Sequence, residues 1–165
     1  MMRTSKRSIK VSDVIAKALE LLGPKGQYWI TGDEHQRHGE EQQDTYCMIG
    51  ALDAAATALC ASSYVEQQAF VEVAKALPKP YLSSVDLNIV GRDKYTGQYV
   101  STSDGAAEGA RGIIPCFNDS LPDAETTYED KQYNERFKRS RRPKGFRKVK
   151  KVFCKALKKT LAKDI

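Results

Sequence analysis

Residues 44–60, DTYCMIGALDAAATALC, form the segment that decides the fold of this chain. The segment is low in charge, and its alanines and leucines make it a strong helix former. Four apolar side chains recur at i, i+4, i+7 and i+11 on one helix face: Met48, Leu52, Ala55 and Leu59. The opposite face is small and mildly polar, and Gly50 on it lets another backbone come close. We therefore predict a central helix that is packed on both sides and capped at its start by Asp44 or Thr45.

Amphipathic helices are predicted on both sides of the central one. Apolar spacing indicates a helix over residues 12–22 that Ser12 caps and a Gly-Pro pair ends. Capping boxes at residues 63–66 (SYVE) and 126–129 (TTYE) open two more helices. Residues 149–161 repeat apolar side chains at i, i+3, i+4, i+7 and i+8 and carry lysines on the other face. These patterns predict a mainly α, single compact domain of about five helices around a central buried helix.

Residues 81–119 give a mixed signal. Residues 85–89 alternate apolar and polar side chains, and Tyr99-Val100 is placed to pair with them, so we expect a small irregular or β-hairpin insertion. The glycine-rich segment 103–112 is expected to be a flexible loop. After it, residues 113–119 (IIPCFND) form a short buried run whose last two side chains favour a turn.

Net charge divides the chain into two unequal parts. Residues 1–130 carry 12 Lys and Arg against 19 Asp and Glu, a net charge of −7, whereas residues 131–165 carry 15 against 2, a net charge of +13. We predict a basic leader over residues 1–10, an acidic helical body over residues 11–130, and a basic linker with a closing amphipathic helix over residues 131–165 that packs on the body. So basic an end suits a polyanionic partner, or folds back on the acidic body.

Composition limits the cellular context. The chain of 165 residues is long enough to form one core without metal or disulfide support. No run approaches the roughly 20 apolar residues of a membrane-spanning helix, and no apolar segment of a signal peptide follows the basic start. The four cysteines, at positions 47, 60, 116 and 154, lack C-x-x-C spacing and are expected to be reduced thiols. We expect a cytoplasmic protein without a transmembrane segment and without a cofactor.

The strongest functional signal is a basic segment near the C-terminal end. Its members crowd residues 136–148: Arg136, Lys138, Arg139, Arg141, Arg142, Lys144, Arg147 and Lys148. Clustered Arg and Lys neutralise phosphates with sequence-tolerant affinity, and the interleaved Phe137 or Phe146 could stack on bases. We predict DNA, RNA or a nucleoprotein assembly as the partner. A solvated face, a clamp on the acidic body, an anionic membrane surface and a protein partner are the alternatives.

Cys47 is the sharpest candidate for a nucleophile. A cysteine in the first turn of a helix lies at the positive end of the helix dipole, which favours the thiolate. A catalytic set would combine Cys47 with His38 as base and Asn118 as the orienting side chain, in a small hydrolase or transferase. His35 and Asp119 could take the last two roles instead. The alternative is a packed core thiol, which the surrounding alanines favour.

A small-ligand pocket is a third hypothesis. It would be formed by Trp29, Asp53, Asn118 and Asp119, since a carboxylate on a packed helix needs a partner. Arg111 is a candidate for that partner, in which case the same residues form a structural ion pair and a turn.

A zinc site has a weaker basis. The pair His35-x-x-His38 with Cys47 and Cys116 has the composition of a four-ligand zinc set. Two histidines in a polar loop are a common surface feature, and no C-x-x-C pair supports the set. No metal site is predicted.

Short motifs occur in a fixed order along the chain: G-x-x-W at residues 26–29, C-x-x-G-A-L at residues 47–52 and F-N-D at residues 117–119. An amphipathic helix opens the sequence and another closes it. This order resembles a family of uncharacterised small proteins of bacteria and their phages, a domain of unknown function whose third motif is usually W-N-D.

Two departures separate this chain from that pattern. Phe117 stands where the family has tryptophan, and residues 79–112 and 131–147 have no counterpart in it. The resemblance implies a helical fold and a phage or bacterial origin, hence the cytoplasm of a bacterial cell, but it implies no mechanism. We therefore expect a non-enzymatic phage or bacterial accessory protein that contacts nucleic acid, or an assembly containing it, through its basic C-terminal region.

Overall fold

The computed structural model describes residues 7–31, 35–36, 44–82, 90–92, 99–101, 103–121, 143 and 145–163. The helices in this part of the chain are α1 (Val11–Leu22), α2 (Met48–Ala58), α3 (Ser63–Lys75), α4 (Lys79–Leu82), α5 (Ser103–Asp119) and α6 (Phe146–Lys163). The strands are β1 (His35–Gln36), β2 (Thr45–Tyr46), β3 (Val90–Arg92) and β4 (Tyr99–Ser101). The prediction of a mainly α, compact domain is confirmed. The capping box at residues 126–129 and most of the predicted linker lie outside the described residues.

α1 forms where its apolar spacing predicts, but a different residue caps it. Lys10 is extended at the N-cap position, and its backbone N–H donates to Oδ2 of Asp13 at 2.9 Å. The prediction that Ser12 is the cap is wrong, because Ser12 lies inside the first turn and is buried. Gly23 follows the helix with φ +83°, a conformation that glycine adopts without a steric penalty, so the predicted end is confirmed.

The central helix α2 begins later than predicted. Thr45 and Tyr46 form the buried strand β2, so the prediction that Asp44 or Thr45 caps the helix is wrong. Cys47 is the N-cap instead: its backbone is extended, and its Sγ accepts the backbone N–H of Gly50 at 3.4 Å. Residues 48–52 are all buried, as expected for a helix that is packed on both sides.

α3 and α4 follow as a helix and a single extra turn. Ser62, one residue before the predicted capping box, is the N-cap of α3, and its Oγ accepts the backbone N–H of Val65 at 3.2 Å. α3 ends at Lys75, shortly before Pro78, as the proline predicts. α4 then carries Tyr81 toward the end of α5.

α5 is where prediction and structure differ most. The segment 103–112, predicted to be a flexible loop, forms the first half of this helix, and the predicted turn at residues 118–119 is its last turn. One stripe of the helix is buried: Ala107, Ala110, Ile113, Ile114 and Phe117. It packs mainly on α3, and it also contacts β3 and α2. Glycines lower the intrinsic helix propensity of this segment, and tertiary packing overrides them.

Two antiparallel strand pairs accompany the helices in the described part of the chain. β3 pairs with β4, with Gly91 opposite Val100, so a hairpin is present, but residues 90–92, which were expected to begin the connection, form its first strand. Its predicted first strand, residues 85–89, lies outside the described residues. β1 pairs with β2, and Trp29 forms a parallel bridge with Tyr46 on the other side of β2. Strand β2 therefore lies between the Trp29 segment and β1.

α6 completes the core around α2. It packs on α1 and α3 and buries one apolar face: Phe146, Val149, Val152, Phe153 and Ala156. Phe146 lies directly on Gly26, where a Cβ atom on residue 26 would overlap the phenyl ring. The ring centroids of Phe146 and Trp29 are 6.2 Å apart. The predicted closing helix is confirmed, and it begins earlier than residue 149.

Candidate functional site

Asn118, at the end of α5, is fully buried and joins three segments of the chain. Its Oδ1 accepts hydrogen bonds from Nε1–H of Trp29 at 2.7 Å and from the backbone N–H of Met48 at 3.2 Å. Its Nδ2 donates to the backbone oxygen of Ile30 at 3.1 Å and to Oδ1 of Asp119 at 3.0 Å. Both donors and both acceptor positions of the amide are therefore in use within the protein.

Cys47 and Asn118 lie together at the start of α2, where each side chain accepts a hydrogen bond from a backbone N–H of the helix. The thiol accepts the N–H of Gly50, and the amide accepts the N–H of Met48. These are two of the N–H groups that the first turn of a helix leaves without an internal partner. Cys47 is only 5% exposed. The geometry thus favours a capping role for this thiol over a role as nucleophile.

Only one of the two histidines considered for the catalytic set lies in the described part of the chain. His38 lies outside the described residues. The backbone of His35 pairs with that of Tyr46, so it runs beside the residue that precedes Cys47. The catalytic combination of Cys47, His38 and Asn118 stays a prediction.

The thiols do not assemble into a ligand set. Cys116 is exposed on α5 and its Sγ donates to the backbone oxygen of Gly112 at 3.3 Å, whereas Cys47 is buried under β2 and α2. Within the described ranges, no three His, Cys, Asp or Glu side chains lie close enough together to hold a metal ion.

Asp53 belongs to an ionic cluster on the outside of α2, α3 and α5. Its Oδ1 lies 2.9 Å from Nη2 of Arg111, which confirms the predicted pair. The same nitrogen lies 3.6 Å from Oε1 of Glu66, and the guanidinium lies 4.4 Å from the ring centroid of Phe70. Partial burial raises the pKa of Glu66 above its ordinary value of 4.5, the hydrogen bond and charge of Asp53 raise it further, and the charge of Arg111 opposes them.

The four residues of the predicted pocket therefore divide into two groups. Trp29 and Asp119 are each hydrogen-bonded to Asn118, which forms the first group. Asp53 is instead paired with Arg111. The predicted ion pair is present, but the predicted turn at residues 118–119 is helix.

A groove of about 670 Å³ opens elsewhere, between α4, the end of α5 and α6. Its floor is mostly apolar: Ala76, Pro78, Tyr81, Phe117, Leu121 and Val152, with Ser120 among them. Three lysines of α6 form its rim: Lys148, Lys151 and Lys155. The rings of Tyr81 and Phe117 meet edge to face at 5.4 Å, and the Tyr81 hydroxyl lies 2.9 Å from Oγ of Ser120. These contacts fix the aromatic part of the floor.

The outer face of α6 is basic along its whole length. It comprises Arg147, Lys148, Lys150, Lys151, Lys155, Lys158, Lys159 and Lys163, all exposed. Lys163 pairs with the nearly buried Glu72 at 2.9 Å. The other members of this face make no ion pair with any described residue. The six predicted nucleic-acid contacts from Arg136 to Lys144 lie outside the described part of the chain.

Comparison with known protein families identifies the family to which the chain belongs. Residues 6–127, which are most of the chain, match the family of unknown function DUF6197. The chain belongs to this family. The comparison with curated proteins found no match, and the comparison with solved structures found none either. The DUF6197 assignment agrees with the expectation of a domain of unknown function, and it carries no activity to the site.

The DUF6197 match ends before α6, although α6 contributes a buried face to the core. The basic face and the lysine rim of the groove therefore lie on a helix beyond the matched segment. Within the described residues, no helix combines the length and the apolar character needed to cross a membrane.

The groove is the part of this DUF6197 protein that sequence reasoning missed. Its three lysines follow an i, i+3, i+7 pattern, so their common stripe on α6 can be found from the sequence. Tyr81 and Phe117 carry no local signal, since they meet only because α4 packs against the end of α5.

Proposed function

We propose that this protein is a non-enzymatic accessory protein, of bacterial or phage origin, that binds nucleic acid or a nucleic-acid-containing assembly through its basic C-terminal region. The observation that carries the proposal is the outer face of α6, where the exposed basic side chains from Arg147 to Lys159 lack acidic partners among the described residues. Such a face neutralises phosphates and releases their counterions, which gives salt-dependent and sequence-tolerant affinity.

The contacts of α6 argue against a clamp that holds the basic end on the acidic body. A clamp would consume the positive charges in ion pairs with the body. Lys163 makes such a pair with Glu72, which also lies 3.9 Å from Lys75. The basic residues from Arg147 to Lys159 make none within the described residues. The described part of the acidic body therefore does not neutralise these charges.

The burial of α6 also favours a polyanion over a membrane surface. A helix that binds a membrane places its apolar face among the lipids. The apolar face of α6 is already buried against α1 and α3, and Leu161 is its one large exposed hydrophobic side chain in the described structure.

The proposal is tested with intact protein and charge-neutral substitutions. Removing residues 131–165 would remove the buried face of α6 and expose the core, so a truncation cannot separate binding from folding. We expect the full chain to bind labelled DNA or RNA, with log K falling linearly with log salt. The pair Lys158→Gln/Lys159→Gln should lower the magnitude of that slope by about 1–2, since each phosphate contact contributes about 0.7–0.9.

A matched control removes the same charge from another surface. Lys17→Gln/Lys25→Gln changes two lysines of the α1 region and should leave the slope unchanged. Fluorescence anisotropy over a salt titration measures both variants. Binding that does not depend on salt, no binding at low salt, or an equal loss in both pairs would overturn the proposal.

A further inference from the structure

The groove beside α6 combines a mostly apolar floor with a rim of three lysines. Its volume of about 670 Å³ lies within the ~300–1,000 Å³ range of sites that hold small organic groups. Among the described residues, no carboxylate lines it and the lysines of its rim have no acidic partner. An occupant must therefore present an apolar surface and negative charge on the same side.

The lysines form a row and not a cluster. Lys148, Lys151 and Lys155 lie on one stripe of α6, and at about 1.5 Å of rise per residue the row is about 10 Å long. A row of point charges suits a linear chain of anions better than a single anion, because each charge can meet a different phosphate.

The floor offers stacking surface and little else. Phe117 is buried and holds Tyr81 by an edge-to-face contact, so the tyrosine is fixed before any ligand arrives. The Ser120 hydroxyl is engaged with Tyr81 and donates to the backbone oxygen of Phe117 at 2.7 Å. With both hydroxyl protons in use, neither side chain has a donor left for the edge of a base. Aromatic floors of this kind bind bases with little sequence preference.

We propose that this groove binds single-stranded nucleic acid, with unstacked bases against Tyr81 and the backbone phosphates along Lys148, Lys151 and Lys155. The inference rests on the proposed function and makes it more specific. A duplex keeps its bases stacked inside, so it would engage the lysines but not the floor. A single strand carries a flat base and a charged phosphate in every unit, which matches the floor and the row together.

Affinity for a labelled oligothymidylate and for a duplex of the same length, both with the full chain at low salt, tests the inference. The single strand should bind more tightly than the duplex. Tyr81→Ala should weaken single-strand binding about 5- to 150-fold, the range found when one base loses its stacking partner, and leave duplex binding unchanged. Tyr81→Phe, which keeps the ring, should retain the affinity for the single strand.

Two further variants protect the test against loss of folding. Lys151→Glu changes only an exposed side chain and should weaken single-strand binding more than duplex binding. Tyr64→Ala is the matched control, since Tyr64 is 63% exposed at the start of α3 and should not affect either ligand.

The outcomes separate this inference from the broader proposal. Equal affinity for the two forms, unchanged by Tyr81→Ala and equally weakened by Lys151→Glu, would overturn the groove assignment and leave nucleic-acid binding intact. Failure of both forms to bind would overturn both. Binding of a helical peptide of leucine and glutamate that Tyr81→Ala abolishes, with no oligonucleotide binding, would assign the groove to an acidic protein partner and also overturn the inference.

Discussion

The region around Asn118 and the outer face of α6 differ in where their polar groups find partners. Asn118 is fully buried and uses both donors and both acceptor positions within the protein. The lysines at the groove are exposed and lack acidic partners among the described residues. In the first region, the polar groups join segments of the same chain. In the second, the charged groups are exposed to solvent, where a partner can reach them.

The difference separates structural from functional polar residues. A polar group can be buried only if a partner replaces the lost water, so satisfied groups such as those of Asn118 report how the fold is held. A solvated charge needs no partner, so its position is not dictated by folding. Unpaired charge beside an apolar groove is therefore the better guide to function than the buried motif that the sequence analysis placed in a catalytic set.

Asn118→Ala should have the largest effect on stability. It leaves Nε1–H of Trp29, the N–H of Met48 and the oxygen of Ile30 buried without their partner, and each such loss costs about 1–3 kcal/mol. We expect the free energy of unfolding to fall by about 3–5 kcal/mol in urea denaturation. Glu108→Ala, at an exposed position of the same helix, should change it by less than about 0.5 kcal/mol. A small effect of Asn118→Ala would show that the amide is free to serve a ligand.

Gly26→Ala should have the next largest effect. The new Cβ would overlap the Phe146 ring, and φ at this position is +74°, so overpacking of about 1–3 kcal/mol adds to backbone strain. We expect a loss of about 2–3 kcal/mol in the same measurement. Gly112→Ala is the matched control: its Cβ meets nothing within 4 Å, and in a helix alanine should stabilise by up to about 1 kcal/mol. Equal outcomes for the two variants would mean that Phe146 does not rest on Gly26.

Glu66→Gln should have the smallest effect on stability, and the size of that effect should depend on pH. Because the pKa of Glu66 is raised in the folded state, this group stabilises the fold below its unfolded pKa, and that contribution is lost as pH rises through the folded pKa. At neutral pH, Glu66→Gln should therefore equal or exceed the wild type in stability, by less than about 1 kcal/mol for so exposed a cluster.

The comparison of pH values supplies the control for that variant. The difference between Glu66→Gln and the wild type should shrink as pH falls below 4.5, because the wild-type carboxyl then becomes neutral too. A thermal denaturation series at several pH values measures it. A variant that is less stable at neutral pH would show that the attraction to Arg111 outweighs burial and the charge of Asp53.

Helices with a regular apolar stripe were predictable from the sequence. Periodicity located α1, α3 and α6, and the Gly-Pro pair and Pro78 located two of their ends. Caps were less predictable, since Lys10, Cys47 and Ser62 each stand within a few residues of another plausible cap. α5 was missed because its glycines indicate a loop, and only its packing on α3 makes it a helix.

The site was less predictable than the fold. The need of Asp53 for a partner was predictable from its place on a packed helix, whereas Arg111 was only a candidate because no spacing in the sequence points to it. The bond between Trp29 and Asn118 joins residues 89 positions apart, and no local pattern reports such a contact. The groove requires three separate segments to meet, so only its lysine stripe was visible in the sequence.

α6 is held at both of its ends, and this restricts which changes in its length the protein can tolerate. Phe146 rests on Gly26 at the start of the helix, and Lys163 pairs with Glu72 at its end. Inserting one residue between them would turn the second half of the helix by about 100° relative to the first. The lysine row would then leave the groove while the apolar stripe left the core. We therefore expect no insertion or deletion within α6. One basic residue can replace another there, but their spacing along the helix must stay the same.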